Sequence, residues 1–183
     1  MTQDAAPFRL WKWKLIGAAI VTLGIAADLW TKHWMQVRLG MSPDLPGSQD
    51  QIDVIDGFFR FAGNWNPGVT FGLGAGLTQP ILYFTVLASV GIAAWMVLTR
   101  ASSRVLHTAL SLILAGAIGN LYDRVVFTKV RDFILVYWKD PSIWQWPAFN
   151  VADSMIVVGV ASILWLELFG RKTPARAGAG APS

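Results

Sequence analysis

The 183-residue chain contains no cysteine and only two histidines, and just 14% of its residues are charged. The missing cysteine excludes disulfides, iron–sulfur clusters and cysteine-ligated zinc. His33 and His107 are too far apart in the chain to form the two-histidine helix motif of zinc proteases. Apolar residues are abundant instead: 54% of the chain is hydrophobic, ten residues are tryptophan, and the mean hydropathy is +0.47. This balance excludes a disordered chain or a basic nucleic-acid-binding tail, and predicts a small integral membrane protein.

Four apolar stretches approach the roughly 20 residues that a helix needs to cross the hydrocarbon core of a bilayer. They predict membrane spans at about 15–35, 80–99, 105–122 and 150–169. The first stretch also has features of a cleaved signal peptide, since basic residues precede it and it contains Ala26-Ala27. We interpret it as a retained anchor, because the apolar run continues past Ala27 and three further spans follow.

The distribution of charge predicts the orientation. The side that holds both termini has eight basic and two acidic residues, whereas the opposite side has seven basic and nine acidic residues. Because loops rich in Lys and Arg remain in the cytoplasm, we expect both termini to be cytoplasmic and the acidic side to face outward.

The outer segments are longer than the inner ones and have strand-like patterns. Residues 52–63 (IDVIDGFFRFAG) partly alternate between apolar and polar, and residues 130–138 (VRDFILVYW) are rich in β-branched and aromatic side chains. The sequence therefore predicts an all-α integral membrane protein with four transmembrane helices, a small extracytoplasmic β-rich segment within 36–79, and an outer loop. We expect the small and polar residues 171–183 to form a disordered cytoplasmic tail.

Polar residues collect at the predicted outer ends of the spans, where an ionisable group is costly and is by default a candidate for function. These residues are Asp28, Lys32, Asn120, Asp123, Arg124, Asp132, Asn150 and Asp153.

Several of these residues also have purely structural interpretations. Asp28 and Lys32 are four residues apart, as in an ion pair on a helix surface. Asn150 and Asp153 have the spacing of a helix N-cap and its third residue. Asp132 has no such explanation, because its neighbour Arg131 would point to the opposite face of a strand.

Two converging carboxylates suggest a specific chemistry. Two Asp side chains that share a site cannot both ionise, so one retains a proton at neutral pH. The ionised group can then take a proton from water, while the neutral group donates a hydrogen bond to a carbonyl oxygen. From the residues alone, Asp123, Asp132 and Asp153 are all eligible partners.

Five motifs in order give the chain a resemblance to a known family. They are DLWTK (Asp28–Lys32), NPGVTFG (Asn66–Gly72), GAIGNLYDR (Gly116–Arg124), VRDFI (Val130–Ile134) and FNVADS (Phe149–Ser154). With this order and spacing, the chain resembles lipoprotein signal peptidases (signal peptidase II), a bacterial family of membrane aspartyl peptidases. Arg131 is a departure, since an apolar residue is common at that position of the family.

The resemblance implies a role for each residue. Asp132 and Asp153 correspond to the catalytic pair, whereas Gly119 and Asp123 correspond to structural positions. The remaining matched polar residues correspond to supporting or substrate-binding positions, with Asp28 and Lys32 organising the site and meeting the lipid-bearing substrate. These residues are Asn66, Asn120, Arg124, Asn150, Asp28 and Lys32.

The resemblance also implies the reaction and its setting. The expected substrate is a prolipoprotein that is cut before a cysteine carrying diacylglycerol. We expect a monomer in the bacterial inner membrane, with the active site at the outer face, in contact with membrane lipid and needing no metal, other cofactor or nucleic acid.

Other functional classes make different predictions. A proton-conducting transporter would distribute ionisable residues through the depth of the bilayer, and a scaffold protein would use Asp and Asn only as helix caps. A serine–lysine signal peptidase would need a serine beside Lys32 or Lys129, and it would leave the two carboxylates unexplained.

Overall fold

The computed structural model describes residues 5–45, 47–68 and 78–169. Along the chain, helix α1 (Ala5–Arg38) is followed by strands β1 (Gly47–Ile55) and β2 (Phe59–Asn66). Helices α2 (Thr78–Leu98) and α3 (Arg104–Phe127) come next, then strand β3 (Val130–Val136) and helix α4 (Val151–Phe169). The predicted tail at 171–183 lies outside the described residues.

Among the described residues, four helices are long and apolar enough to cross a membrane, namely Leu10–Arg38, Gln79–Leu98, Arg104–Phe127 and Val151–Phe169. The second and fourth agree with the predicted spans to within about two residues. The third continues five residues past its predicted end at Tyr122 and ends where Thr128 adopts a left-handed conformation, with φ 61°. Asp123 and Arg124 therefore lie inside the helix and not at its exit. The predicted end was too early because hydropathy decreases at charged residues, whereas the helical backbone continues through them.

Helix α3 is the central element of the helical bundle. Half of its most apolar window is buried, against 17% or less for the other three helices. Small residues permit the close packing: a Cβ added to Gly24 of α1 would lie 2.8 Å from the Cβ of Ala115, and one added to Gly159 of α4 would lie 2.6 Å from Ile113. Helix packing through small residues is typical of membrane proteins, where lipid tails leave no hydrophobic drive for association.

A three-stranded antiparallel sheet, in the order β1-β2-β3, joins the helices at one end. Strands β1 and β2 form a hairpin whose turn contains Gly57 at φ +71°, a conformation that glycine adopts without strain. Strand β3 pairs with β2 so that Asp132 lies opposite Asn64. The strands predicted within 52–63 are thus confirmed. The segment 130–138, rich in β-branched and aromatic residues, contains β3, the third strand of the same sheet.

An apolar core attaches the sheet to the bundle. It consists of Met35, Leu39, Met41, Trp65 and Phe133, all of which are 5% exposed or less. Because the core joins the end of α1 to β2 and β3, it fixes the sheet beside the ends of α3 and α4, where the polar residues lie.

Candidate active site

Asp132, in the middle of β3, is held by two asparagine side chains. Its Oδ2 accepts a hydrogen bond from Asn66 Nδ2 at 3.0 Å, and its Oδ1 accepts one from Asn150 Nδ2 at 2.7 Å. Asp132 is only 1% exposed. Since the two donors come from β2 and from the residue that precedes α4, the position of this carboxylate depends on both the sheet and the start of α4.

Asp153 lies in the first turn of α4 and forms a reciprocal cap with Asn150. The backbone N–H of Asp153 donates to Asn150 Oδ1 at 3.0 Å, and the backbone N–H of Asn150 donates to Asp153 Oδ2 at 3.1 Å. The capping interpretation of these two residues is therefore correct. The other oxygen of Asp153 accepts from Asn120 Nδ2 at 2.7 Å, so the carboxylate that caps the helix is also held by α3.

The two carboxylates face one cavity. Asp132 and Asp153 both line a cavity of about 510 Å³, together with Asn66, Asn120 and Arg124. The rest of its wall is largely apolar and comes mainly from α2, α3 and α4, with Val130 of β3 and Ala148 before α4. Burial and the neighbouring charge of Asp153 together raise the pKa of Asp132 to about 7, against the opposing hydrogen bonds from Asn66 and Asn150. A carboxyl group of this kind is partly protonated at neutral pH.

Asp28 and Lys32 lie behind the cavity. They form the expected ion pair, at 2.7 Å, but both side chains are completely buried and not on a helix surface. Asp28 Oδ1 accepts from the backbone N–H of Ala152 at 2.9 Å, and Lys32 Nζ donates to Asn120 Oδ1 at 2.9 Å. This last contact leaves the Asn120 amide to donate to Asp153. The pair thus supports the site, and neither residue lines the cavity.

Asp123, the third eligible carboxylate, is engaged elsewhere. It has no exposed surface, and Arg131 pairs with its Oδ1 at 2.5 Å and donates a backbone hydrogen bond to its Oδ2 at 2.9 Å. Arg131 also donates to Gln36 at 2.9 Å and lies over the Phe127 ring. Asp123 does not line the cavity, so its geometry favours the structural role.

Sequence reasoning missed the roles of Arg131 and Gln36. Alternation along a strand indicated that Arg131 points away from Asp132, but it gave no partner for it. Asp123 could have indicated the pairing, because no Lys or Arg lies three or four residues from it on α3. A buried carboxylate without a partner on its own helix requires one from another segment.

Two further predicted residues have clear contacts. Arg124 lines the cavity and donates to the backbone carbonyls of Gly68, at 3.0 Å, and Asn120, at 3.3 Å. Gly119 has no room for a side chain, because an added Cβ would collide with the Asp28 carboxylate and lie 3.5 Å from Ala152 Cβ. Arg124 therefore connects α3 to the segment that follows β2, and Gly119 permits α1, α3 and α4 to meet.

Comparison with known proteins shows the family of the chain. Residues 20–169 match the family model described as signal peptidase (SPase) II. The chain belongs to the signal peptidase II family. The family is one of proteases, and together with the four apolar helices it makes this chain a multi-pass membrane protein.

Relatives and solved structures extend the match over most of the chain. A protein of Clostridium novyi named lipoprotein signal peptidase is 36% identical over 76% of this chain and 88% of its own length. One of Anaeromyxobacter with the same name is 35% identical over 93% of this chain and 92% of its own length. A solved bacterial membrane enzyme has a TM-score of 0.73 at 24% identity, covering 90% of this chain and 94% of that one. This structural similarity supports the fold alone.

Proposed function

We propose that this chain is an aspartic endopeptidase that removes signal peptides from bacterial prolipoproteins, cutting before the diacylglyceryl-modified cysteine. The observation that carries the proposal is the pair Asp132 and Asp153 lining one mostly apolar cavity, with the pKa of Asp132 raised to about 7 by burial and by the charge of Asp153. Its membership of the signal peptidase II family supports the same reaction.

In the proposed mechanism, one water molecule is bound between the two carboxyl groups. The ionised carboxylate takes a proton from this water while its oxygen bonds to the scissile carbonyl carbon. The protonated carboxyl group donates a hydrogen bond to the carbonyl oxygen, which stabilises the charge that develops there. The tetrahedral intermediate then breaks its carbon–nitrogen bond, and the proton taken from water passes to the leaving amine.

The surrounding amides keep the two acids in different environments. Asn66 and Asn150 donate to Asp132, whereas Asn120 and the backbone of Asn150 donate to Asp153. Because Asn150 contacts both acids, a movement of one carboxylate is transmitted to the other. Lys32 fixes the orientation of Asn120 from behind, so α1 contributes to the geometry of the pair without reaching the substrate.

The setting of the reaction follows from charge and hydropathy. We infer a location in the inner membrane with both termini in the cytoplasm, because basic residues exceed acidic ones by eight to two on that side. The sheet and the carboxylates then face the outer side. In this position the dyad meets a peptide bond that lies near the membrane boundary, between a membrane-embedded signal helix and its exported mature chain.

The proposal is tested by incubating the purified protein with two forms of one lipoprotein precursor, one carrying diacylglycerol on its cysteine and one unmodified. We expect cleavage of the modified form, with the new N-terminus at the modified cysteine, and little cleavage of the other. Asp132→Asn should cleave neither form. Asp140→Asn is its matched control and should cleave like the wild type, since Asp140 is an exposed carboxylate in the loop after β3. Equal cleavage of both precursors, or a cut elsewhere, would contradict the proposed specificity.

A further inference from the structure

Four charged side chains lie buried behind the catalytic pair. Two are acids and two are bases, and each is 3% exposed or less: Asp28, Lys32, Asp123 and Arg131. We call them the buried quartet. None of the four lines the active-site cavity. Because their charges sum to zero, the quartet adds no net charge behind the two carboxylates, and the loss of any one member leaves a buried charge without compensation.

Lys32 lies between the two acids of the quartet but does not bind them equally. Its Nζ is 2.7 Å from Asp28 Oδ2 and 3.6 Å from Asp123 Oδ2, and the second distance is too long for a hydrogen bond. Lys32 donates instead to Asn120 Oδ1, at 2.9 Å. Asp123 tolerates this separation because Arg131 satisfies it, with Nη2 at 2.5 Å, Nε at 3.2 Å and the backbone N–H at 2.9 Å.

We propose that Arg131 is a positioning residue for the catalytic pair, because its charge holds Asp123 and thereby keeps Lys32 in place. The inference rests on the proposed function. Asn120 Nδ2 donates to Asp153 Oδ1 at 2.7 Å, so the orientation of this amide sets the position of one catalytic carboxylate. Without Arg131, the uncompensated Asp123 attracts Lys32. The amide of Asn120 then loses the charged donor that fixes its orientation.

Arg131 also makes contacts that depend on its shape and not on its charge balance. Its Nη1 donates to Gln36 Oε1 at 2.9 Å, and its guanidinium group lies 4.7 Å from the centre of the Phe127 ring. These contacts join β3 to α1 and α3, as a purely structural residue would. The two roles differ in one respect: only the positioning role is restored when the charge of the quartet is balanced without an arginine.

The net charge of the quartet also affects the pKa of Asp132. Charged groups act on Asp132 from three helices, whereas α2 has no charged residue; these groups are Lys32 on α1, Arg124 on α3 and Asp153 on α4. Lys32 lowers the pKa of Asp132 and Asp153 raises it. A change in the charge around Lys32 is therefore expected to change the pH at which Asp132 loses its proton.

The direction of this change depends on which member of the quartet is removed. Without the positive charge of Arg131 the quartet is negative, which disfavours the ionised form of Asp132 and raises its pKa. Without the negative charge of Asp123 the quartet is positive, and the pKa of Asp132 falls. The alkaline limb of kcat/KM against pH should thus shift to higher pH in Arg131→Met and to lower pH in Asp123→Asn.

The test measures kcat and KM on a diacylglyceryl-modified precursor from about pH 5 to pH 9. Arg131→Met should lower kcat about ten- to a hundredfold, the size of effect that misplaced catalytic groups produce. Its KM should stay unchanged, because the quartet does not line the cavity. Arg131→Lys keeps the charge and should retain most of the wild-type kcat. The double variant Asp123→Asn/Arg131→Met balances the charge again and should regain most of the lost kcat and the wild-type pH profile.

Arg60→Met is the matched control, because Arg60 on the neighbouring strand β2 makes similar contacts outside the quartet. It pairs with Asp53 at 2.9 Å and lies 4.5 Å from the centre of the Tyr137 ring. Its loss should leave kcat and the pH profile as in the wild type.

Three results would overturn the positioning role. They are a wild-type kcat and pH profile for Arg131→Met, equal impairment of Arg131→Lys and Arg131→Met, and a double variant no more active than Arg131→Met. If Arg131→Met does not fold, Asp123→Asn decides: a shift of its alkaline limb to lower pH supports the role, and an unshifted limb contradicts it. Failure of the wild type to cleave the precursor would instead refute the proposed function.

Discussion

Replacing Asp132 by Asn removes a titratable group from the most constrained position of the proposed active site. The substitution conserves shape, but the amide cannot carry the charge or the shared proton that the mechanism requires. Since general acid–base catalysis contributes about 10²–10⁴ in rate, we expect kcat on a lipid-modified precursor to fall by about a thousandfold or more.

The same substitution has a calculable effect on stability. The pKa of Asp132 is raised from 3.8 to about 7, so the folded protein binds this proton more tightly than the unfolded chain does. A raised carboxyl pKa means that stability is highest below the unfolded pKa and decreases as the pH rises through the folded pKa. Between about pH 5 and pH 8 the wild type should therefore lose about 2.5 kcal/mol that Asp132→Asn does not lose.

This difference can be separated from the constant cost of the substitution. Asn66 and Asn150 both donate to Asp132, and an amide replacement has only one oxygen for two donors, which costs about 1–3 kcal/mol at every pH. The measurement is thermal unfolding in detergent across this pH range, with Asp140→Asn as the control. Hydrogen bonds from Ser142 lower the pKa of the exposed Asp140, so its removal should leave the pH trend above pH 5 unchanged. The reasoning would be refuted by a stability difference between wild type and Asp132→Asn that stays the same from pH 5 to pH 8. A kcat of Asp132→Asn within about tenfold of wild type would also refute it.

Four further predictions test the other parts of the site. Asp153→Asn should also abolish cleavage while lowering stability by only about 1 kcal/mol, since one of its two hydrogen bonds survives; substantial turnover would exclude it from the catalytic pair. The kcat/KM of the wild type should decrease about tenfold per unit above about pH 7, where Asp132 loses its proton, and a profile that stays flat to pH 9 would argue against a shared proton. Arg124→Ala should raise KM about tenfold, because hydrogen bonds from a charged donor to the segment after β2 are lost; an unchanged KM would make Arg124 dispensable. Gly119→Ala should lower the unfolding stability by about 1–3 kcal/mol, because the added Cβ overpacks against Asp28. Gly91→Ala is its control: an added Cβ there meets nothing within 4 Å, so this variant should be neutral or stabilising in the same unfolding assay.

Much of the membrane architecture follows from local properties of the chain. Apolar runs such as 80–99 are long enough to require a spanning helix, because an unsatisfied backbone in hydrocarbon is too costly. Alternation marked the strands within 52–63, because successive side chains on a sheet point to opposite faces. The segment 130–138 was marked by its β-branched and aromatic side chains, which are common in strands. The end of α3 was placed five residues too early, at Tyr122, because hydropathy reports the partition of side chains and not the course of the backbone.

Local properties also marked which polar residues to examine. Their position at the ends of apolar runs is visible in the sequence, and so is the capping pattern of Asn150 and Asp153. The family motifs then ordered Asp132 and Asp153 ahead of Asp123, which the residue types alone did not do.

The sequence by itself determined four membrane helices, the strands and the set of ionisable residues that collect at one end of the bundle. The four-residue spacing predicted the ion pair of Asp28 and Lys32, but only the tertiary structure decided the other pairings. Arg131, adjacent in the chain to Asp132 but on the opposite face of β3, neutralises Asp123 on α3, and Lys32 on α1 orients Asn120. Asp132 and Asp153 remain without a direct cationic partner among the described ion pairs and share a cavity instead. The reason is physical: buried charges are stabilised by partners within a few ångströms. Apart from the local pair of Asp28 and Lys32, those partners come from segments 8 to about 120 residues away along the chain, at separations that no local pattern encodes.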